Sequence, residues 1–149
     1  MRAEGKVAIV TGGSNGIGAA LCRRLAREKA KGIVVADIDA QGAHVLAGDI
    51  GGMAVPCDVA KEEEIIHLVR QTEERFGPVD LFFSNAGIMI QGLLEVSNAD
   101  WQRIWEINVM SHIYGARAVI PGMLTRGSGG FVITASAAGL LNQIDSTPY

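Results

Sequence analysis

The chain has 149 residues, of which 48% are apolar, 19% charged and 5% aromatic, with 19 glycines and a net charge of -3. That length suits one domain around a single sizeable core, and the composition excludes disordered, collagen-like and membrane-spanning classes. Charges of both signs are interspersed, so there is no electrostatic footprint for nucleic acid or an anionic membrane, and a small-molecule partner is expected.

From the N-terminus, residues 7–10 form a continuous apolar run that ends in a glycine turn, as in a strand buried on both faces. Ile17, Leu21 and Leu25 follow at four-residue spacing and predict an amphipathic helix with these side chains inward. A second strand is expected over 33–36, a helix over 40–46 and a short strand over 53–55. The next helix should turn Ile65, Ile66, Val69 and Phe76 inward and stop at Gly77-Pro78. A fourth strand covers 79–83, and a long helical stretch covers about 100–124, with Ser97 or Asn98 as its cap. Residues 131–135 make the fifth strand. Strand and helix alternate throughout, which predicts an α/β fold with a parallel sheet. Right-handed crossovers give the order 3-2-1-4-5, the first five strands of a Rossmann-type doubly wound sheet, in one domain spanning 1–149.

Cys22 and Cys57 show no ligand spacing and are expected to be free core thiols in a reducing compartment. The four-residue apolar run near the N-terminus is too short for a signal peptide or a span, so a cytoplasmic location is expected. His44, His67 and His112 fall on three different predicted helices at no metal-ligand spacing. They are read as surface or interhelix residues, and no metal site is expected.

Between the first strand and its helix lies Thr11-Gly12-Gly13-Ser14-Asn15-Gly16-Ile17-Gly18. Glycines there permit a tight turn and close backbone approach to a pyrophosphate, with the helix N-terminus behind it. An ordinary glycine-rich turn is the plain alternative. The spacing is TGxxxGxG rather than GxGxxG, and no Lys-Ser/Thr follows Gly18, which disfavours a nucleoside triphosphate loop. In this pattern, and through nearly every later landmark, the sequence resembles the short-chain dehydrogenase/reductase family. The resemblance implies that Gly12, Gly16 and Gly18 shape the turn and that Ser14, Asn15 and Ile17 lie beside the cofactor.

Asp37 stands nineteen residues after Gly18 at the end of strand two, near the offset at which a carboxylate accepts the adenosine ribose hydroxyls. Neither Ser14, Asn15 nor Ile38 supplies a cation for a 2'-phosphate, so NAD is expected over NADP. A solvated strand-end carboxylate is the alternative for Asp37. Asp58-Val59, where the resemblance puts an aspartate against the adenine amino group, and Asn85-Ala86-Gly87 also sit at strand ends. By itself Asp58 reads more readily as a helix-start residue. Two positions depart from the family's habit: Ser84 where a second Asn is frequent, and Ala60 where a Ser or Thr cap is common.

Hydride exchange between an alcohol carbon and nicotinamide requires a proton to move at the oxygen, and a tyrosine can serve if its pKa is lowered. Ser136 follows strand five, and Tyr149 comes thirteen residues later. The resemblance implies that Ser136 binds the substrate oxygen, that Tyr149 exchanges its proton beside the cofactor, and that Asn108 supports a water relay. A satisfied core amide is the alternative for Asn108, and Gln143 borders the substrate on a weaker reading. The resemblance also places a lysine four residues past Tyr149, and further strands beyond, that these 149 residues do not include. A fragment is therefore expected, inactive by itself and with an apolar edge at strand five.

The implied function is NAD-dependent interconversion of a secondary alcohol and a ketone. A non-catalytic NAD-binding or nucleotide-sensing module and an S-adenosylmethionine-dependent methyltransferase are the alternatives. Trp101, Trp105 and Tyr114 are read as packing residues at a dimer contact, in keeping with a homo-oligomer, dimer or tetramer, for the complete protein.

Overall fold

The computed structural model describes residues 2–140 and 148–149. Five strands, β1 (Val7–Thr11), β2 (Gly32–Asp37), β3 (Met53–Pro56), β4 (Leu81–Ser84) and β5 (Gly130–Ile133), form one parallel sheet in the order β3-β2-β1-β4-β5. This is the expected doubly wound topology. The register pairs Thr11 with Ala36 and Ser84 with Ile133, so the strands end together along one carboxyl edge.

Helices α1 (Gly16–Arg27) and α2 (Ala40–Ile50) cover one face, and α3 (Glu62–Phe76) and α5 (Ser111–Arg126) cover the other. Alternation along β1 explains the division. Ala8 and Val10 pack with Ala19, Cys22, Leu25 and Leu46, while Ile9 packs with Ile65, Leu68, Val119 and Met123. Helix α5 approaches the sheet closely at Gly115, where a Cβ would lie 2.8 Å from the Phe82 ring, and Phe82 stacks on Phe131 at 5.3 Å.

Two inward assignments are corrected. Ile17 is 63% exposed, because α1 buries Gly18, Ala19, Cys22 and Leu25, and Ile17 falls on the helix's cleft side. Ile66 is 56% exposed, because the stripe of α3 runs Ile65, Leu68, Val69 and Thr72, with spacings of three and four that leave Ile66 outside.

The long helical stretch is interrupted. Helix α4 (Asn98–Trp105) begins at Ser97, whose Oγ accepts the Asp100 N–H at 3.1 Å. A π turn (Glu106–Met110) then precedes α5, where Ser111 Oγ donates to the Ile107 carbonyl at 2.6 Å. Gly127, at φ +64°, caps α5 in the left-handed region. Among the described residues, no helix is long and apolar enough to cross a membrane.

Candidate active site

A cleft of about 1000 Å³ opens along the carboxyl edge of the sheet. Successive crossovers diverge on either side of β1 and β4, the place where doubly wound sheets leave a crevice for ligands.

The glycine turn forms its floor. Gly12 has φ +62°, and a Cβ there would lie 2.8 Å from Ala86 Cα. A Cβ on Gly18 would run into the Gly12 carbonyl oxygen and reach 2.8 Å from Asn85 Nδ2. Bare backbone is therefore required at both positions by what lies behind the turn. Gly16 needs glycine for another reason: its φ is +51°, with open space around it. Asn15, the residue preceding α1, makes no side-chain cap bond, which leaves the first-turn N–H groups of α1 uncapped where Ile17 and Gly18 line the cleft. Gly16 and Ser14 do not line it. Ser14 faces a second groove between α1 and α2, and its Oγ is buried without a partner among the described residues.

At the tip of β2, Asp37 accepts the N–H groups of Ser14 (2.9 Å) and Asp39 (3.0 Å) and, with Ile38, lines the cleft. One carboxylate thus ties the glycine turn to the second strand and still borders the space where a ligand would lie. Asp58 has both of the readings open for it. Its Oδ1 accepts the Ala60 N–H at 3.1 Å at the entry to α3, and it lines the cleft beside Val59. Glu64 accepts the Asp58 N–H at 2.6 Å, which ties the first turn of α3 back to the strand end, while the helix start itself has no side-chain cap.

The end of β4 is held by side chains from three elements. Thr11 Oγ1 donates to the Phe83 carbonyl (3.3 Å) and accepts the N–H groups of Asn85 (3.0 Å) and Ala86 (3.2 Å). Asn85 Nδ2 donates to the Thr11 carbonyl at 3.0 Å, and its Oδ1 accepts Thr134 Oγ1–H at 2.9 Å. The amide of Asn108, on the π turn, accepts the Ile88 N–H (2.9 Å) and donates to the Ile88 carbonyl (2.8 Å). Its side chain is thus a structural amide that also lines the cleft, with one lone pair on Oδ1 and one N–H on Nδ2 beyond its two bonds to Ile88. Gly87 lies beneath it, 3.4 Å from Asn108 Oδ1 to a Cβ built there.

Ser136 precedes a 3-10 turn (Ala137–Gly139), with its Oγ accepting the Ala138 N–H at 3.1 Å. Ser136 and Tyr149, which is 41% exposed, line the cleft together with Asn108. Gln143 lies outside the described residues.

Several cleft residues escaped the sequence reading: Cys57, Ile88, Met89, Arg103, Ile107, Thr134 and His112. For His112 a signal existed, since it follows Asn108 by four residues and so shares its helical face. Its Nδ1 stands 2.6 Å from Ser84 Oγ, and burial pushes its pKa below 6.5. The Cys57 thiol is buried, and its pKa is pushed up to about 12, first by burial and then by Glu64, Asp58 and Asp37. Cys22, equally buried, is also pushed up to about 12, which fits inert core thiols. Among the described residues, no group of three His, Cys, Asp or Glu could hold a metal.

Chemically, the cleft offers uncapped N–H donors and bare backbone at one point, carboxylates at the tips of β2 and β3, and the hydroxyls of Ser136, just after β5, and of Tyr149. The family model described as "short chain dehydrogenase" matches residues 6–149. Tropinone reductase-like 2 of Erythroxylum coca is 39% identical over 142 residues, 91% of this chain and 51% of that protein. The mitochondrial borneol dehydrogenase of Lavandula x intermedia is 35% identical over 140 residues, 92% of this chain and 54% of that protein. A short chain dehydrogenase/reductase from Burkholderia phymatum, solved in complex with NAD, superposes with a TM-score of 0.96 at 33% identity over 100% of this chain and 55% of that one. The chain spans about half the length of these curated relatives. Such a match leaves no place for a methyltransferase reading: the chain belongs to the short-chain dehydrogenase family.

Proposed function

We propose that the chain is the dinucleotide-binding part of an NAD-dependent oxidoreductase that interconverts a secondary alcohol and a ketone. The observation that carries this reading is the sharing of one cleft by the glycine turn, Asp37, Ser136 and Tyr149.

The residues present fit the dinucleotide. Closely packed glycines at 12 and 18 leave no room for side chains where a diphosphate would approach backbone. Asp37 would accept the adenosine ribose hydroxyls, with Ile38 and Val59 as apolar walls and Asp58 toward the adenine. Gly12, Asn15, Ile17 and Gly18 would surround the diphosphate, with Gly16 shaping the turn by its positive φ and Ser14 behind it. Asn85, Ala86 and Gly87 would form the floor beneath the sugars. A 2'-phosphate would meet the Asp37 carboxylate, which supports NAD over NADP. When bound, the nicotinamide supplies the hydride acceptor or donor.

The chain's own residues handle the proton. In the oxidative direction Ser136 Oγ would hold the substrate oxygen, and Tyr149, as its phenolate, would take the hydroxyl proton on Oη while the carbon gives up its hydride to the bound nicotinamide; in the reverse direction the phenol returns the proton. Asn108, clamped by both bonds to Ile88, keeps the π turn and the loop after β4 in register beside them. The NAD complex of the Burkholderia phymatum protein supports the choice of cofactor.

The test is turnover by the full-length protein that contains these residues, with NAD and a panel of secondary alcohols, against Tyr149→Phe. The variant keeps the ring and loses the hydroxyl, so kcat is expected to fall about 10²–10⁴-fold, with a far smaller change in NAD affinity. Turnover that survives in Tyr149→Phe would remove the tyrosine from the mechanism.

A further inference from the structure

His112 takes no part in the proton exchange proposed for Ser136 and Tyr149, yet its ring lines the same cleft. It stands on the first turn of α5, and its Nδ1 is 2.6 Å from Oγ of Ser84, the last residue of β4. Ser84 is buried, and its carbonyl accepts the Thr134 N–H at 3.1 Å. Together with the Asn108 clamp on Ile88, this bond fastens both ends of the Asn85, Ala86 and Gly87 segment to the helix.

The direction of the bond follows from what each atom lacks. Among the described residues, Ser84 Oγ has no acceptor other than His112 Nδ1. Were Nδ1 protonated and donating, the buried hydroxyl hydrogen would be stranded, at a penalty of about 1–3 kcal/mol. The hydroxyl therefore donates to Nδ1, and the ring's proton sits on Nε2. Burial lowers the ring's pKa, which favours its neutral form. The titratable groups sharing the cleft wall are Asp37, Cys57, Asp58, Arg103 and Tyr149, and none of them bonds to the ring.

We infer that His112 is a neutral hydrogen-bond donor of the cleft, whose Nε2–H, fixed by Ser84, binds a carbonyl oxygen of a bound small molecule. A nitrogen that already carries its proton cannot act as a base, so this is a binding role. The inference rests on the dinucleotide-dependent reading above. Two carbonyl sources share this chemistry, the carboxamide of the dinucleotide and the ketone substrate.

The experiment is a two-bond ¹H–¹⁵N correlation on the ¹⁵N-labelled full chain at pH 7, with the His112 signals assigned by their loss in His112→Gln. The Nε2-protonated tautomer is expected, and Ser84→Ala should release the ring into a mixture of tautomers. NAD is then added alone, followed by cyclohexanone. Movement of the Nε2 signal with NAD identifies the carboxamide as acceptor; movement only with the ketone identifies the substrate. His112→Phe should weaken that ligand about tenfold. An Nδ1-protonated or charged ring overturns the inference, as does a ring that neither ligand moves although calorimetry finds NAD bound. If calorimetry finds no NAD binding, the functional reading itself fails and the inference falls with it.

Discussion

At the scale of single residues, the glycines of the turn are separable by cause. Gly18 is constrained by neighbours, since a Cβ there meets the Gly12 carbonyl and Asn85, whereas Gly16 is constrained only by its positive φ. Gly18→Ala is therefore expected to lose about 1–3 kcal/mol or more by overpacking, to lower the melting temperature by several degrees, and to abolish NAD binding. Gly16→Asn should lose well under 1 kcal/mol, because asparagine tolerates the left-handed region. Thermal melts and NAD titration of both variants check the ranking, and equal losses would contradict it. The TGxxxGxG spacing made this turn legible, because steric demand writes itself directly into glycine positions. Ser84 and His112 were not legible as a pair. They lie twenty-eight residues apart on different elements, and only folding joins them.

At the scale of elements, the alternation of strands and helices fixed the sheet order in advance, since parallel strands admit few right-handed connections. Boundaries were less legible. The π turn at Glu106–Met110 does not appear in the apolar pattern of 100–124, because an inserted residue shifts the helical phase without any glycine or proline to mark it. That turn carries Asn108 to the cleft, so the element hardest to read is one the site depends on. Helices α4 and α5 also leave Trp101 (39%), Trp105 (52%) and Ile113 (38%) exposed. Large apolar side chains gathered on neighbouring helices favour a partner, and a second copy is the expectation. Gel filtration of the full-length protein should give a dimer or larger species, and Trp105→Glu should shift it toward monomer. A monomeric wild type would contradict this.

At the scale of the whole molecule, one carboxyl edge gathers residues from the end of β1 to Tyr149 around a single cleft. Ordinary packing accounts for the two covered faces, with Phe82 and Ile9 at the centre of one and Val35 and Cys22 within the other. What packing alone does not require is the convergence of an uncapped helix start, a strand-tip carboxylate and two hydroxyls on one space. Calorimetric titration of the full chain with NAD and NADP, repeated on Asp37→Ala, tests that convergence most directly. NAD should bind at least about tenfold more tightly than NADP, the loss of one good hydrogen bond being worth about that factor, and the variant should lose the difference. No heat with NAD, or equal affinity for both dinucleotides in the wild type, would contradict the account.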